Sequence, residues 1–165
     1  MNEALTHIDL ANWIPAVLLG TPLFIFITLM LVSIYTFTQI WPQNGVFVVE
    51  YDWFQLTASH AIDFNLHIDS ISALFICIVL ITAFLVHLFS IEYLRGDKHF
   101  EKYFAYLGLF IFAILGIILS QNLFVVFVFW ELVGFSSYLL IGFYFEKKSA
   151  VFANKKAFIV NRIGD

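Results

Sequence analysis

One acidic residue lies deep inside a long apolar run. Glu131 is the only charged residue between positions 123 and 145. It is nine residues beyond Asn122, which places it about 13 Å along a helix and near the midplane of a ~30 Å hydrocarbon core. An ionised carboxylate at that depth costs about 2.5–3.5 kcal/mol by insertion scales, and such acids usually line proton or ion pathways. We therefore expect proton transfer at Glu131. The alternative is a protonated acid that is hydrogen-bonded to a neighbouring helix.

Further charged or titratable groups could form a network with Glu131. Arg162 and Asp165 are three positions apart, so they can pair on one helix face. Lys156 is expected nearer the membrane boundary, where a lysine that extends to the interface is as reasonable as a functional one. Histidine as a residue type titrates near neutral pH, so His87 could relay protons, although an interfacial histidine is the simpler interpretation.

One face of the helix around Glu131 favours close packing. At 100° per residue, Gly134, Tyr138 and Gly142 fall within about 60° of it. The two glycines allow another backbone to approach, and Tyr138 adds a hydroxyl one to two turns away. For the glycines alone, ordinary helix packing is the preferred interpretation.

The rest of the chain must hold these groups inside a membrane. Of its 165 residues, 62% are hydrophobic and 12% are charged, whereas soluble domains carry roughly 25% charge. Apolar runs of about 20 residues span a bilayer as helices. We predict a single domain over 1–165 that is an all-α polytopic membrane protein. Its transmembrane helices number about five, the last incomplete, and are expected at roughly 13–40, 68–91, 103–119, 123–145 and 155–165.

Residues 46–68 follow a different pattern from the apolar runs. Apolar and polar residues alternate strictly from 62 to 69, and the same alternation runs from 49 to 53. A period of two is typical of a strand. We predict a short β-hairpin on the membrane surface, in the loop between the first two transmembrane helices.

The basic residues occupy alternate loops. The loop before the third predicted helix and the loop before the fifth hold seven of the eight basic residues, and the other loops hold none. The seven are Arg95, Lys98, Lys102, Lys147, Lys148, Lys155 and Lys156. The positive-inside rule places the two basic loops in the cytoplasm and the hairpin on the opposite side. The predicted location is the inner (plasma) membrane of a bacterium.

No cofactor motif is recognisable in the sequence. Cys77 is the only cysteine, so neither an intrachain disulfide nor a C-x-x-C cluster motif is possible. The glycines form neither a dinucleotide fingerprint nor a P-loop, and no run is basic enough for nucleic acid. We expect no cofactor, no metal and no nucleic-acid partner for this chain.

Three stretches resemble the antiporter-like subunits of respiratory complex I (NADH:quinone oxidoreductase). They are FWELVG at 129–134, SYLLIGFY at 137–144 and KAFIVNRIGD at 156–165. The third resembles subunit L, the mitochondrial chain 5 type, more than subunits M and N. Shorter matches at 64–69, 86–88 and 104–106 extend the resemblance to roughly 62–165.

This resemblance implies a proton-translocating subunit that couples NADH-to-quinone electron transfer to proton pumping. It implies that Glu131 pairs with a lysine on a later helix, and that Arg162 and Asp165 belong to the charged set around the pair. NAD, FMN, iron–sulfur clusters and quinone are expected on other subunits. Subunits of the M and N types and the lipid bilayer are the expected partners.

Two other classes compete with this interpretation. The large subunit of a multisubunit Na⁺/H⁺ antiporter shares the Trp-Glu helix but matches 156–165 less well. A non-transporting membrane scaffold gives no reason for an acid at the midplane. The family usually has one more helix before the first predicted here, so we expect a piece of a longer protein that lacks both ends and does not pump alone.

Overall fold

Helices make up most of the described chain, as expected where no water can satisfy backbone N–H and C=O groups. The structure is a computed structural model and describes residues 25, 27–41, 45–57 and 60–164, with the backbone alone at 52–63. The helices are α1 Ile27–Ile40, α2 Ser70–Tyr93, α3 Phe100–Leu119, α4 Leu123–Ile141 and α5 Lys148–Gly164. The strands are β1 Phe47–Val49, β2 Asp52–Thr57, β3 His60–Asp63 and β4 Leu66–Ile68.

Three of these helices, α2, α3 and α4, are long and apolar enough to cross a membrane. The prediction of a mainly helical, polytopic membrane protein is therefore confirmed. The helix predicted at 13–40 corresponds to α1 in its second half, and its first half lies outside the described residues.

Two of the membrane helices have a side-chain cap at their N-terminus. The Asp69 carboxylate accepts a hydrogen bond from the Ser72 N–H at 2.7 Å, just before α2. The Asn122 amide oxygen accepts from the Phe124 N–H at 2.9 Å, just before α4. Each cap satisfies one of the backbone donors that a helix N-terminus leaves unpaired. The Ser72 N–H also lowers the pKa of Asp69, because it favours the charged carboxylate.

Three predicted helix boundaries were wrong. Helix α3 begins at Phe100 rather than Tyr103, since the acidic residue in its first turn suits the positive end of the helix dipole. Helix α4 ends at Ile141 rather than Phe145, and turns follow from Gly142 onward. Helix α5 begins at Lys148 rather than near Lys155, because the alanine-containing stretch before Lys155 suits a helix although polar residues flank its apolar ones.

The hydrophobic core lies between α2 and α3. Leu80 and Ala83 of α2 pack against Leu107 and Ile111 of α3, and all four are buried. Met30 of α1 packs against the same cluster. These contacts hold α1, α2 and α3 together.

The predicted hairpin is present, with each arm divided into two strands. Strand β1 pairs antiparallel with β4, and β2 pairs antiparallel with β3. Between the two pairs, the Phe64 N–H donates to the Tyr51 carbonyl at 2.7 Å, and the Tyr51 N–H donates to the Asn65 side chain at 3.2 Å. The side-chain amide of Asn65 thus bridges the point where the arm changes from one pair to the next.

The connecting segments gather at opposite ends of the bundle. The hairpin meets the α3–α4 connection, where Leu66 bridges to Ser120 and the Gln121 N–H donates to the Asn65 carbonyl. At the other end, the ring of His99, before α3, lies 5.5 Å from the ring of Phe145, before α5. The two basic loops are therefore neighbours. Which compartment they face stays a prediction.

Candidate functional site

An ion pair joins α4 to α5. The Arg162 guanidinium donates to the Glu131 carboxylate, and the side chains are 47% and 22% exposed. The sequence placed both residues in one charged network but paired Arg162 with Asp165. The observed partner of Arg162 is Glu131, and Asp165 lies outside the described residues.

The helix face that carries Glu131 is the one that α5 covers. The Tyr138 ring lies 5.2 Å from the ring of Phe158. A Cβ on Gly134 would come 3.8 Å from the Asn161 side-chain amide. Tyr138 and Gly134 belong to the face predicted from helical spacing, and here they contact the helix that supplies Arg162.

Gly142 completes this face and makes the tightest contact along it. A Cβ added there would overlap the side-chain amide of Asn154. Residues 131, 134 and 138 of α4, and residue 142 directly after it, therefore meet α5 residues 162, 161, 158 and 154, respectively. Rising numbers on α4 meet falling numbers on α5, so the two helices pack antiparallel.

Phe158 of α5 lies close to both Tyr138 and Arg162. Its ring lies 5.2 Å from the ring of Tyr138, centroid to centroid, and the Arg162 guanidinium lies 5.3 Å from its centroid. A guanidinium near an aromatic ring gains electrostatic attraction from the ring quadrupole. Arg162 is thus oriented by both Glu131 and Phe158. Sequence reasoning missed Phe158, although its position four residues before Arg162 places it on the same helix face.

Lys156 is exposed on α5. Over the described residues it forms no ion pair with an acid. It lies six residues before Arg162, about 9 Å along the helix axis. Nothing in this geometry joins Lys156 to the Glu131 pair, so its predicted membership of the charged network stays a prediction.

His87 is buried away from the ion pair, between α2 and α3. It is 2% exposed, and its Nδ1 lies 2.8 Å from the Ala83 carbonyl. Because a carbonyl oxygen only accepts, Nδ1 carries the proton in that bond. The imidazole also contacts the ring of Phe104 at 5.6 Å. This packing suits a structural histidine, and a proton-relay role for His87 stays a prediction.

The described residues contain no cluster of three His, Cys, Asp or Glu side chains that could hold a metal ion. Cys77 is buried, and its thiol lies 3.5 Å from the Ser33 hydroxyl of α1.

Two segments match known families. Residues 53–104 match "NADH-Ubiquinone oxidoreductase (complex I), chain 5 N-terminus". Residues 120–165, which include Glu131 and Arg162, match "NADH:quinone oxidoreductase/Mrp antiporter, TM". The resemblance to the complex I chain 5 family is confirmed. The second match covers oxidoreductases and antiporters alike, so the first match is the one that favours complex I.

Curated relatives that match different lengths of this chain are named NAD(P)H-quinone oxidoreductase subunit 5. The chain is 38% identical over 146 residues to NAD(P)H-quinone oxidoreductase subunit 5, chloroplastic, of Physcomitrium patens, covering 87% of the chain and 20% of the relative. It is 46% identical over 104 residues, 63% of the chain and 16% of the relative, to the organellar chromatophore subunit 5 of Paulinella chromatophora. The chain thus spans about a fifth or less of the relatives' length.

A solved structure shares the fold. It belongs to the membrane-bound sulfane sulfur reductase, an archaeal respiratory membrane complex, and matches with a TM-score of 0.76 at 23% identity. The match covers 93% of this chain and 32% of that one. At this identity the likeness concerns the arrangement of helices and hairpin alone.

Proposed function

We propose that this chain is the N-terminal part of a proton-translocating membrane subunit of an NAD(P)H:quinone oxidoreductase, with Glu131 as its proton-transfer group. The observation that carries the proposal is the Glu131–Arg162 ion pair, which joins two apolar helices. The names of the relatives support the oxidoreductase assignment. Residues that bind NAD, FMN, iron–sulfur clusters or quinone are assigned to other subunits.

The ion pair suggests how the carboxylate handles protons. A guanidinium stays protonated in proteins, so Arg162 cannot itself pass a proton to Glu131. Its positive charge compensates the Glu131 carboxylate while the two side chains are in contact. Moving Arg162 away, or offering it another acid, removes that compensation from a carboxylate in apolar surroundings, where an unpaired charge is costly. A lysine on a later helix, as the family resemblance implies, would compete with Arg162 for the same carboxylate.

The remaining assignments follow from this role. Membrane subunits of the M and N types are proposed partners, within an energy-converting membrane. The relatives described above are chloroplast and chromatophore proteins, so a bacterial plasma membrane and cytoplasmic basic loops stay predictions. A Na⁺/H⁺ antiporter subunit is the second candidate, because the match over 120–165 includes Mrp antiporters.

Replacement of Glu131 by Gln in the full-length subunit tests the proposal. Gln keeps the size and hydrogen-bonding capacity of Glu but cannot exchange a proton. We expect an assembled complex with NADH oxidation by an artificial acceptor intact and with proton pumping in vesicles sharply reduced. Glu131→Asp should retain part of the pumping, limited by its shorter reach.

The measurement is the acidification signal per NADH oxidised at equal complex content. Normal pumping by Glu131→Gln would show that the Glu131 carboxylate serves only in packing. Proton movement that depends on sodium and not on NADH or quinone would favour the antiporter candidate instead.

A further inference from the structure

A cavity lies between the two basic loops, at the end of the bundle where α2 and α4 end. Its volume is about 340 Å³. The α2–α3 loop contributes residues 96–99 to its lining, and the α4–α5 loop contributes residues 143–147. Each loop supplies one lysine, Lys98 from the first and Lys147 from the second. A ligand in this cavity would therefore contact both loops at once.

The two loops are positively charged, unlike the chain as a whole. Residues 92–102 and 146–156 together hold seven basic and four acidic residues, whereas the net charge of the whole chain is −4. Neither Lys98 nor Lys147 forms an ion pair with an acid in the described part of the chain. The two lysines that line the cavity are therefore available to an anion.

Other charged groups of the lining are held in place or exposed to solvent. Lys147 Nζ lies 4.6 Å from the centroid of the Tyr144 ring, and a cation is attracted to an aromatic face at such a distance. The Asp97 carboxylate accepts a hydrogen bond from the His99 N–H at 2.8 Å, so this acid is engaged within its own loop. Glu146 is the second acid of the lining, and it is exposed.

Two exposed aromatic residues of α2 lie directly before this cavity. The rings of Phe89 and Tyr93 stack with their centroids 5.6 Å apart, and both side chains are exposed in the described part of the chain. Tyr93 is the last residue of α2 and lies three positions before Gly96 of the lining. Aromatic residues of membrane helices concentrate at the level of the lipid headgroups. A lipid whose acyl chain lies along these two rings would therefore have its headgroup at the cavity.

We propose that this cavity binds the phosphate headgroup of an anionic phospholipid, with Lys98 and Lys147 as its cationic ligands. Basic pockets between the ends of membrane helices recognise anionic headgroups in this way. The two lysines approach the phosphate from separate loops, so the bound lipid ties these loops together. The proposal rests on the membrane location of the helices and is independent of proton transfer at Glu131.

The test compares two lipids that differ in headgroup charge. Phosphatidylglycerol and phosphatidylcholine with the same photoactivatable acyl chain are added in trace amounts to nanodiscs that hold the full-length subunit in its complex. Labelled residues are then mapped by tandem mass spectrometry. We expect several-fold more labelling of Phe89 and Tyr93 by phosphatidylglycerol. Ile71, exposed at the opposite end of α2, is the internal control and should show no such preference. Equal labelling of Tyr93 by both lipids would overturn the proposal, without any variant having to fold.

Two adjacent lysines provide matched variants. Lys147 lines the cavity, whereas Lys148 is exposed and does not line it. We expect Lys147→Gln and Lys98→Gln each to lower the preference for phosphatidylglycerol by up to about fivefold, the usual contribution of one basic residue near an anionic lipid surface. Lys148→Gln should leave the preference nearly unchanged, and Lys147→Arg should retain most of it. Equal losses at 147 and 148 would show a diffuse attraction to the loops and contradict a site in the cavity.

Inorganic phosphate distinguishes a lipid headgroup from a free anion. Phosphate has the same charged group but no acyl chain to lie along Phe89 and Tyr93. We therefore expect millimolar phosphate to leave most of the phosphatidylglycerol labelling in place. Complete loss of the preference at that concentration, with the labelling of Ile71 unchanged, would assign the cavity to a free anion and overturn the lipid proposal.

Discussion

Two glycines of α3 offer a matched test of how tightly α3 packs against α4. A Cβ added at Gly116 would overlap the ring of Phe129, whereas nothing lies within 4 Å of a Cβ at Gly108. The ring has little freedom to move, because Phe64 and Phe112 lie 6.2 Å and 5.6 Å from it, centroid to centroid. The two positions differ in their surroundings and share a helix.

The expected magnitudes follow from this difference. Replacing Gly by Ala inside a helix stabilises by about 0.5–1 kcal/mol through backbone entropy, and both variants gain this term. Overpacking a filled site costs about 1–3 kcal/mol, which only Gly116→Ala incurs. We therefore expect Gly108→Ala to be neutral or more stable, and Gly116→Ala to be about 1–3 kcal/mol less stable than Gly108→Ala.

The assay is denaturant unfolding of the full-length subunit in mild detergent. The slope of the unfolding free energy against denaturant concentration must be the same in every variant, so that a difference in midpoint reports a difference in stability. A double variant, Gly116→Ala with Phe129→Leu, should recover part of the loss, since the two side chains share one space. Equal midpoints for Gly116→Ala and Gly108→Ala would refute the close approach of α4 to α3.

Three further predictions address the cap, the topology and the ion pair. Asp69→Ala should destabilise the subunit by about 0.5–2 kcal/mol and Asp69→Asn by less. The pKa of Asp69 is lowered in the folded state. Its contribution to the free energy of unfolding is therefore fully present above its ordinary pKa of 3.8 and is lost as pH falls through the folded-state pKa. Unfolding midpoints measured across acid pH would show this loss. Cysteines at Lys98 and Gly45 should label from opposite sides of a sealed vesicle, and labelling of both from one side would overturn the topology. Arg162→Lys should retain more pumping than Arg162→Leu, because it keeps a positive charge near Glu131; equal pumping by the two would remove that charge from the mechanism.

Much of the fold followed from the sequence alone. Lipid offers no hydrogen bonds to the backbone, so long apolar runs had to become helices, and strict alternation predicted the hairpin at 46–68. Helical spacing also identified the packing face of α4, because 3.6 residues per turn fixes which side chains share a face. The helix boundaries were harder to predict, since first turns that mix charged and apolar residues, as in α3 and α5, interrupt the apolar pattern without ending the helix.

The partners across that face were decided by the tertiary structure. Spacing along α5 allowed Arg162 to pair within its own helix, and only the packing of α5 against α4 brought it to Glu131. The same packing placed Phe158 beside Tyr138 and Asn154 over Gly142. A sequence fixes the order of side chains on one helix. The rotation and register between two helices depend on how their surfaces fit, because ridges on one must enter grooves on the other.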